Sequence, residues 1–280
     1  MHTVSDHLVA VPGTCTTYIV TSEDRGLAID CGSHDLPDVE TAAGVSIDRL
    51  LLTHFHRDQC SQAGAWSRRG VDAVVPFCER RFFESADILR ASYDTYDNYT
   101  AFFPGFSTLE DVRGSWAVDY DTLHWRELEI DVVPVPGHTF GSSGYLFELD
   151  GTRYLACGDL LSAPGKLHEY HRAQWSYMSF QGHVNLLESL ATVRQLRPDV
   201  MLPGHGEPFE YSETAITALE GPLRELYELF HGRPYESYEP VFRQLSEHVY
   251  EVTNSAANTY IVRDDDGHGL FIDCGYTSGA

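Results

Sequence analysis

The chain has 280 residues, 42% of them hydrophobic and 12% aromatic, which is enough for one large packed domain, or one domain and part of another, and excludes disorder. Lys and Arg number 19 against 42 Asp and Glu, a formal charge of −23. Such a surface repels phosphate backbones and anionic headgroups, so nucleic acid and membrane are not the expected partners.

Residues 1–6, Met-His-Thr-Val-Ser-Asp, show no basic segment leading into an apolar stretch, and no apolar run is long enough to span a bilayer. The six cysteines, at 15, 31, 60, 78, 157 and 274, are spaced neither as a disulfide framework nor as a CxxC zinc site. Reduced thiols in a cytoplasmic protein are expected.

In chain order, Leu8–Val11, Thr17–Val20, Leu27–Asp30 and Arg49–Thr53 read as short strands separated by turn residues. Residues 60–69 read as a helix stopped by Gly70, Val71–Val75 as a strand, and Glu79–Arg90 as a helix. Residues 91–120, including "SYDTYDNYTAFFPGF", are aromatic and aperiodic; they read as an insertion, either packing on itself or walling a substrate site. Strands follow at Ile130–Val135, Gly144–Leu149 and Arg153–Cys157, then a helix at His183–Leu196 and a strand at Asp199–Leu202. Strands interspersed with helices suit a layered α/β domain.

The chain contains a repeat. "TYIVTSEDRGLAIDCG" (17–32) recurs as "TYIVRDDDGHGLFIDCG" (259–275), and "SDHLVAV" (5–11) as "SEHVYEV" (246–252). The expected organisation is one domain with C-terminal helices over 1–245, followed by the opening strands of a second, truncated copy over 246–280. Edge pairing by these extra strands, or their exchange with a neighbouring chain, would give a homodimer.

Chemistry concentrates after predicted strands. "THFHRDQC" carries His54, His56 and Asp58 at alternate positions; His138 lies in "PGHTFGSSGYL", Asp159 in "CGDLL" and His205 in "LPGHGEP". Imidazole and carboxylate are ligands that zinc accepts, and the flanking glycines let backbone approach a metal closely. His2, His34, His124 and His248 lack this context. His168 and His171, in "GKLHEYHRAQW", follow Asp159 closely enough to face a substrate.

These four stretches, in this order, resemble the metallo-β-lactamase-fold hydrolases, with a glyoxalase-II-like character, over about residues 5–230. The resemblance implies a four-layer αββα sandwich with a metal at one edge of its two sheets. It implies one metal site formed by His54, His56 and His138, and a second formed by Asp58 and His205, with Asp159 bridging. The family's usual histidine after the aspartate is replaced by Gln59. A neutral amide oxygen is a poor zinc donor, so a weakened or absent second ion is expected. Cys60, one residue further on, is expected to pack rather than ligate.

The function expected is hydrolysis: zinc, as one or two ions, activates water against an ester, thioester, lactone or amide carbonyl of a small molecule, with Asp58 orienting the water or taking its proton. The alternative is a mononuclear iron oxygenase acting on a sulfur substrate, using His54, His138 and Asp159.

Overall fold

The computed structural model describes residues 1–84, 112, 114–168, 181–236 and 239–273. It divides into two compact units, Met1–Arg233 and Pro234–Ala280.

In the first unit, seven strands run in sequence order across one sheet: β1 (His2–Ser5), β2 (Leu8–Pro12), β3 (Thr16–Ser22), β4 (Arg25–Ile29), β5 (Ser46–Leu51), β6 (Asp72–Pro76) and β7 (Gly114–Ala117). The second sheet holds β8 (Thr122–Trp125), β9 (Leu128–Pro134), β10 (Ser143–Leu149), β11 (Thr152–Gly158), β12 (Val200–Pro203) and β13 (Phe209–Glu210), ordered β13-β12-β11-β10-β9-β8. Alternation sorts the side chains. Leu8, Tyr18, Leu27 and Ile29 meet Ile130, Tyr145, Phe147 and Tyr154 between the sheets. On the outer face of the first sheet, Ile19, Ala28 and Leu50 pack against Leu36 and Val39 of α1 (Leu36–Ala43), Trp66 of α3 (Ala63–Arg68), and Phe82 and Phe83 of α4 (Arg80–Glu84). α5 (Gln181–Leu196) and α6 (Glu213–His231) pack together, and Ser189 of α5 donates to the Pro136 carbonyl beyond β9 at 2.6 Å. The architecture is a four-layer αββα sandwich.

Strand direction decides where the loops gather. β4, β5 and β6 are parallel neighbours. β11 is parallel to β12, and both β9 and β11 are antiparallel to β10, so β9, β11 and β12 share one direction. Hydrogen bonds stitch the sheets at the C-terminal ends of these strands. Tyr18 donates to the Pro203 carbonyl at 2.9 Å, Tyr145 to the Leu52 carbonyl at 2.6 Å, and the Ser143 amide to the Thr53 carbonyl at 2.9 Å.

Local departures from the sequence reading have local causes. The helix expected over 60–69 is two pieces, α2 (Arg57–Cys60) and α3. Between them, Ser61 Oγ and the Gln62 amide both bond the Gly32 carbonyl, at 2.7 and 3.1 Å. The helix expected from Glu79 begins as a 3-10 turn, Phe77–Glu79, followed by α4; its remainder, 85–90, lies outside the described residues. Of the expected insertion at 91–120, residues 91–111 and 113 also lie outside them, and Gly114–Ala117 is strand β7, parallel to β6. No helix among the described residues is long and apolar enough to cross a membrane.

The second unit is a four-stranded antiparallel sheet: β14 (Phe242–Ser246), β15 (Val249–Val252), β16 (Thr259–Arg263) and β17 (Gly269–Ile272). Its pairing repeats that of β1–β4. Thr3 and Ser5 face Val9 and Leu8 across a register shift, as Gln244 and Ser246 face Tyr250 and Val249. Leu8 pairs with Val20 and Tyr18 with Ile29, as Val249 pairs with Val262 and Tyr260 with Ile272. Asp30 and Asp273, after the fourth strand of each set, both take positive φ, 55° and 57°. The repeat thus includes one strand more than sequence identity reveals, since β1 and β14 share only their final serine. We read these strands as the opening of a second copy of the first unit. A chain ending at Arg233 is then expected to melt cooperatively within about 3 °C of the full chain, measured by circular dichroism. Loss of its cooperative transition would mean that the later strands complete the first unit.

Candidate metal centre

His54 follows β5, and a chain of hydrogen bonds orients it. Asp30, fully enclosed after β4, accepts from the Thr53 amide at 2.9 Å and from the Thr53 hydroxyl at 2.8 Å. Having donated its proton to Asp30, the Thr53 oxygen accepts from His54 Nδ1 at 3.1 Å. That places the imidazole proton on Nδ1 and the lone pair on Nε2. His54 Nε2 is buried and has no hydrogen-bond partner. Burial, aided by His138 and His56, holds the His54 pKa well below the usual imidazole value, so the ring is neutral. An orphaned buried lone pair costs about 1–3 kcal/mol, a cost that a bound cation removes.

His56, at the start of α2, and His138, after β9, complete a cluster. One ligand atom from each of His54, His56 and His138 lies within 4.8 Å of the others. His56 Nδ1 and His138 Nε2 are 2.7 Å apart. Three converging imidazoles, those of His54 and His138 buried, fit a borderline-soft divalent ion, and the orphaned nitrogen of His54 is the position such an ion would satisfy.

Asp159, at the end of β11, joins this cluster to the other candidate residues. Its Oδ2 lies 3.3 Å from His138 Nε2 and 3.7 Å from His54 Nε2. Its Oδ1 accepts from Gln59 Nε2 and lies against His205 Nδ1, both at 2.9 Å. Burial favours the neutral acid, but His138, His205 and His54 together outweigh it and hold Asp159 well below the usual carboxylate range. His205 Nε2 faces the Thr14 carbonyl at 2.8 Å and Asp58 Oδ2 at 3.5 Å. Both ring nitrogens of His205 thus meet oxygen acceptors. Burial opposes its charge, but the Asp159 bond and charge, with Asp58 and the Thr14 carbonyl, raise its pKa to about 9.

The structure brings all six candidates to one edge of the sandwich. His54, His56 and His138 share a point; Asp159 adjoins it; Asp58 and His205 lie on the far side of Asp159, where Gln59 also sits. Two glycines make the closeness sterically feasible. A Cβ on Gly158 would stand 2.9 Å from Thr53 Oγ1, and one on Gly204 would stand 2.6 Å from Gln59 Nε2 and 2.7 Å from Asp159 Oδ1. Cys60 is fully buried and its thiol bonds back to the Phe55 and His56 carbonyls, at 3.3 and 3.0 Å, so it packs as expected. His168 stacks on His205, ring centroids 3.8 Å apart and ring planes nearly parallel; His171 lies outside the described residues. Sequence reasoning missed Asp30 and Thr53 as orienting groups. The signal for Asp30 was the Asp-Cys-Gly shared by both copies of the repeat, which marks a position kept for more than strand formation.

The family model described as the Metallo-beta-lactamase superfamily matches residues 10–205. A hydroxyacylglutathione hydrolase of Aeromonas salmonicida (strain A449) is 29% identical over 161 residues, covering 56% of this chain and 52% of its own. The chain thus spans about half the length of that curated relative. A beta-lactamase-like protein 2 homolog of Drosophila melanogaster is 23% identical over 262 residues, covering 88% and 80%. Among solved structures, a metallo-β-lactamase of Cronobacter sakazakii superposes with a TM-score of 0.56 at 14% identity, over 82% of this chain and 97% of that one. With the family's model matched across both sheets and through all six candidate residues, the chain belongs to the metallo-beta-lactamase superfamily.

Proposed function

We propose that this protein is a one-metal hydrolase that cleaves a carbonyl ester or thioester of a small molecule, with zinc as its ion. The observation that carries the reading is the buried, unpartnered Nε2 of His54, oriented by Thr53 and Asp30 and facing two further imidazoles. The thioester is favoured because a relative 29% identical over 161 residues is a hydroxyacylglutathione hydrolase.

His54, His56 and His138 would hold the ion, with Asp159 Oδ2 next to His138 and His54. When bound, such an ion supplies Lewis acidity, which lowers the pKa of water toward 7 and polarises a carbonyl. The chain's own groups do the rest. Asp58 orients the attacking water and receives its proton. His205, carrying charge between Asp159 and Asp58, fixes both carboxylates. His168, stacked on His205, forms part of the substrate wall.

Asp58, Asp159 and His205 are the remainder of a second ion's ligand set. Gln59 closes that position, because its amide presents hydrogen to Asp159 Oδ1 where a second ion would need that oxygen's lone pair. A single ion is therefore the complement of this chain.

Elemental analysis with a hydrolysis panel of an S-acyl thioester, a lactone and a phosphodiester tests the reading. The parent is expected to hold about one zinc and to prefer the thioester, and His54→Ala to hold almost none and to lose activity by at least about a hundredfold. Gln59→His is expected to raise the stoichiometry toward about two. Two tightly bound ions in the parent, full activity in metal-free His54→Ala, or oxygen uptake in place of hydrolysis would each overturn it.

A further inference from the structure

Glu79 is a carboxylic acid with no exposure to solvent, at the end of the 3-10 turn that follows β6. It is not one of the candidate metal ligands. Its Oε2 accepts from the Phe55 amide at 2.7 Å, in the one-residue gap between His54 and His56. Its Oε1 accepts from the Thr139 hydroxyl and, at 3.2 Å, from the Gly141 amide, both just after His138. One carboxylate therefore ties the loop after β5 to the loop after β9. These loops belong to different sheets and carry all three imidazoles of the cluster.

The surrounding residues are shaped around this contact. Thr139 Oγ1 also lies 2.6 Å from Ser142 Oγ, and the Thr139 amide donates to the same Ser142 oxygen at 3.2 Å, which closes the loop on itself. A Cβ at Gly141 would stand 2.5 Å from Glu79 Cγ and 2.9 Å from Cys78 Cβ, so the loop approaches Glu79 more closely than any other residue would allow. Burying an acid costs free energy, and burial lifts the carboxyl to about 8 even though the Thr139, Phe55 and Gly141 bonds all pull it down. An apolar residue here would avoid that cost but would leave the Phe55 and Gly141 amides without an acceptor.

We propose that Glu79 is a positioning residue, setting the distance between the His54–His56 loop and the His138 loop at which three imidazoles hold one ion. The proposal rests on the reading of His54, His56 and His138 as ligands. Its physical content is that one side chain with an acceptor at each end spans both loops. Glutamine keeps the length and shape but has one acceptor end; its amide nitrogen then faces an N–H or hydroxyl donor, so one loop is released.

The test measures zinc affinity by competition with a chromophoric chelator and records the visible absorption of the Co2+-loaded full chain, whose ligand-field bands report the geometry of the imidazoles. In folded Glu79→Gln, zinc affinity is expected to fall on the order of 10- to 100-fold, with altered Co2+ bands. Thr139→Val, which removes one donor and keeps the branched shape, is expected to shift both readouts in the same direction by a smaller factor. A folded Glu79→Gln chain with the parent's zinc affinity and Co2+ spectrum overturns the proposal. Should Glu79→Gln not fold, Thr139→Val decides, and parental values in it overturn the proposal equally. A parent that takes up neither ion overturns the ligand reading, and this proposal with it, an outcome distinct from a variant that matches a metal-binding parent.

Discussion

The buried carboxylate of Asp159 is the constraint around which this site is built. An ionised acid with almost no solvent contact must be compensated by donors and cations, or it will protonate. Here both oxygens are compensated, and on different sides. Oδ2 faces His138 Nε2 at 3.3 Å and His54 Nε2 at 3.7 Å. Oδ1 faces the Gln59 amide and His205. One side chain thus divides the edge of the sandwich into a half suited to a cation and a half already filled by hydrogen-bond donors.

The fold makes that division possible through strand direction. β9, β11 and β12 end on the same side, and sheet-to-sheet bonds from Tyr18, Tyr145 and Ser143 bring that side against the end of β5. His54, His138, Asp159 and His205 each come within four positions of a strand's end, so their backbones are anchored there. The orienting groups Asp30, Thr53 and Glu79 are buried with the residues they orient. Asp30 fixes Thr53, which fixes the His54 tautomer, and Glu79 ties two loops. Both acids have carboxyl groups lifted by burial, to about 7 and about 8, the cost of placing acceptors inside a core.

The ligand candidates were legible in the sequence because each carries a local signature: a histidine or aspartate, a preceding apolar run and a nearby glycine. The strands that line the inter-sheet core were legible for the same reason, since burial on both faces leaves runs such as Tyr18–Val20 and Leu27–Ile29 rich in apolar residues. What could not be read was long-range and polar. Nothing in "PFCERRFF" distinguishes Glu79 from an ordinary helix-starting acid; only the folded chain brings Phe55 and Gly141 to it. Nothing near His205 reveals that the Thr14 carbonyl, 191 positions away, would occupy its second nitrogen. α1 was missed because only Leu36 and Val39 of its eight residues are buried, too few to mark a periodic face. In the second unit, register and backbone preserve the repeat although Leu270 is 64% exposed where its counterpart Leu27 is 1% exposed.

X-ray absorption at the zinc edge of the loaded parent chain tests the central claim most directly, because it reads ligand type and neighbouring metal together. The account predicts about three imidazole nitrogens at roughly 2.0–2.1 Å with light oxygen scatterers and no second zinc shell. A metal–metal vector near 3.5–4 Å would contradict it by showing that Gln59 does not close the second position. Fewer than two imidazoles in the first shell would contradict the assignment of His54, His56 and His138.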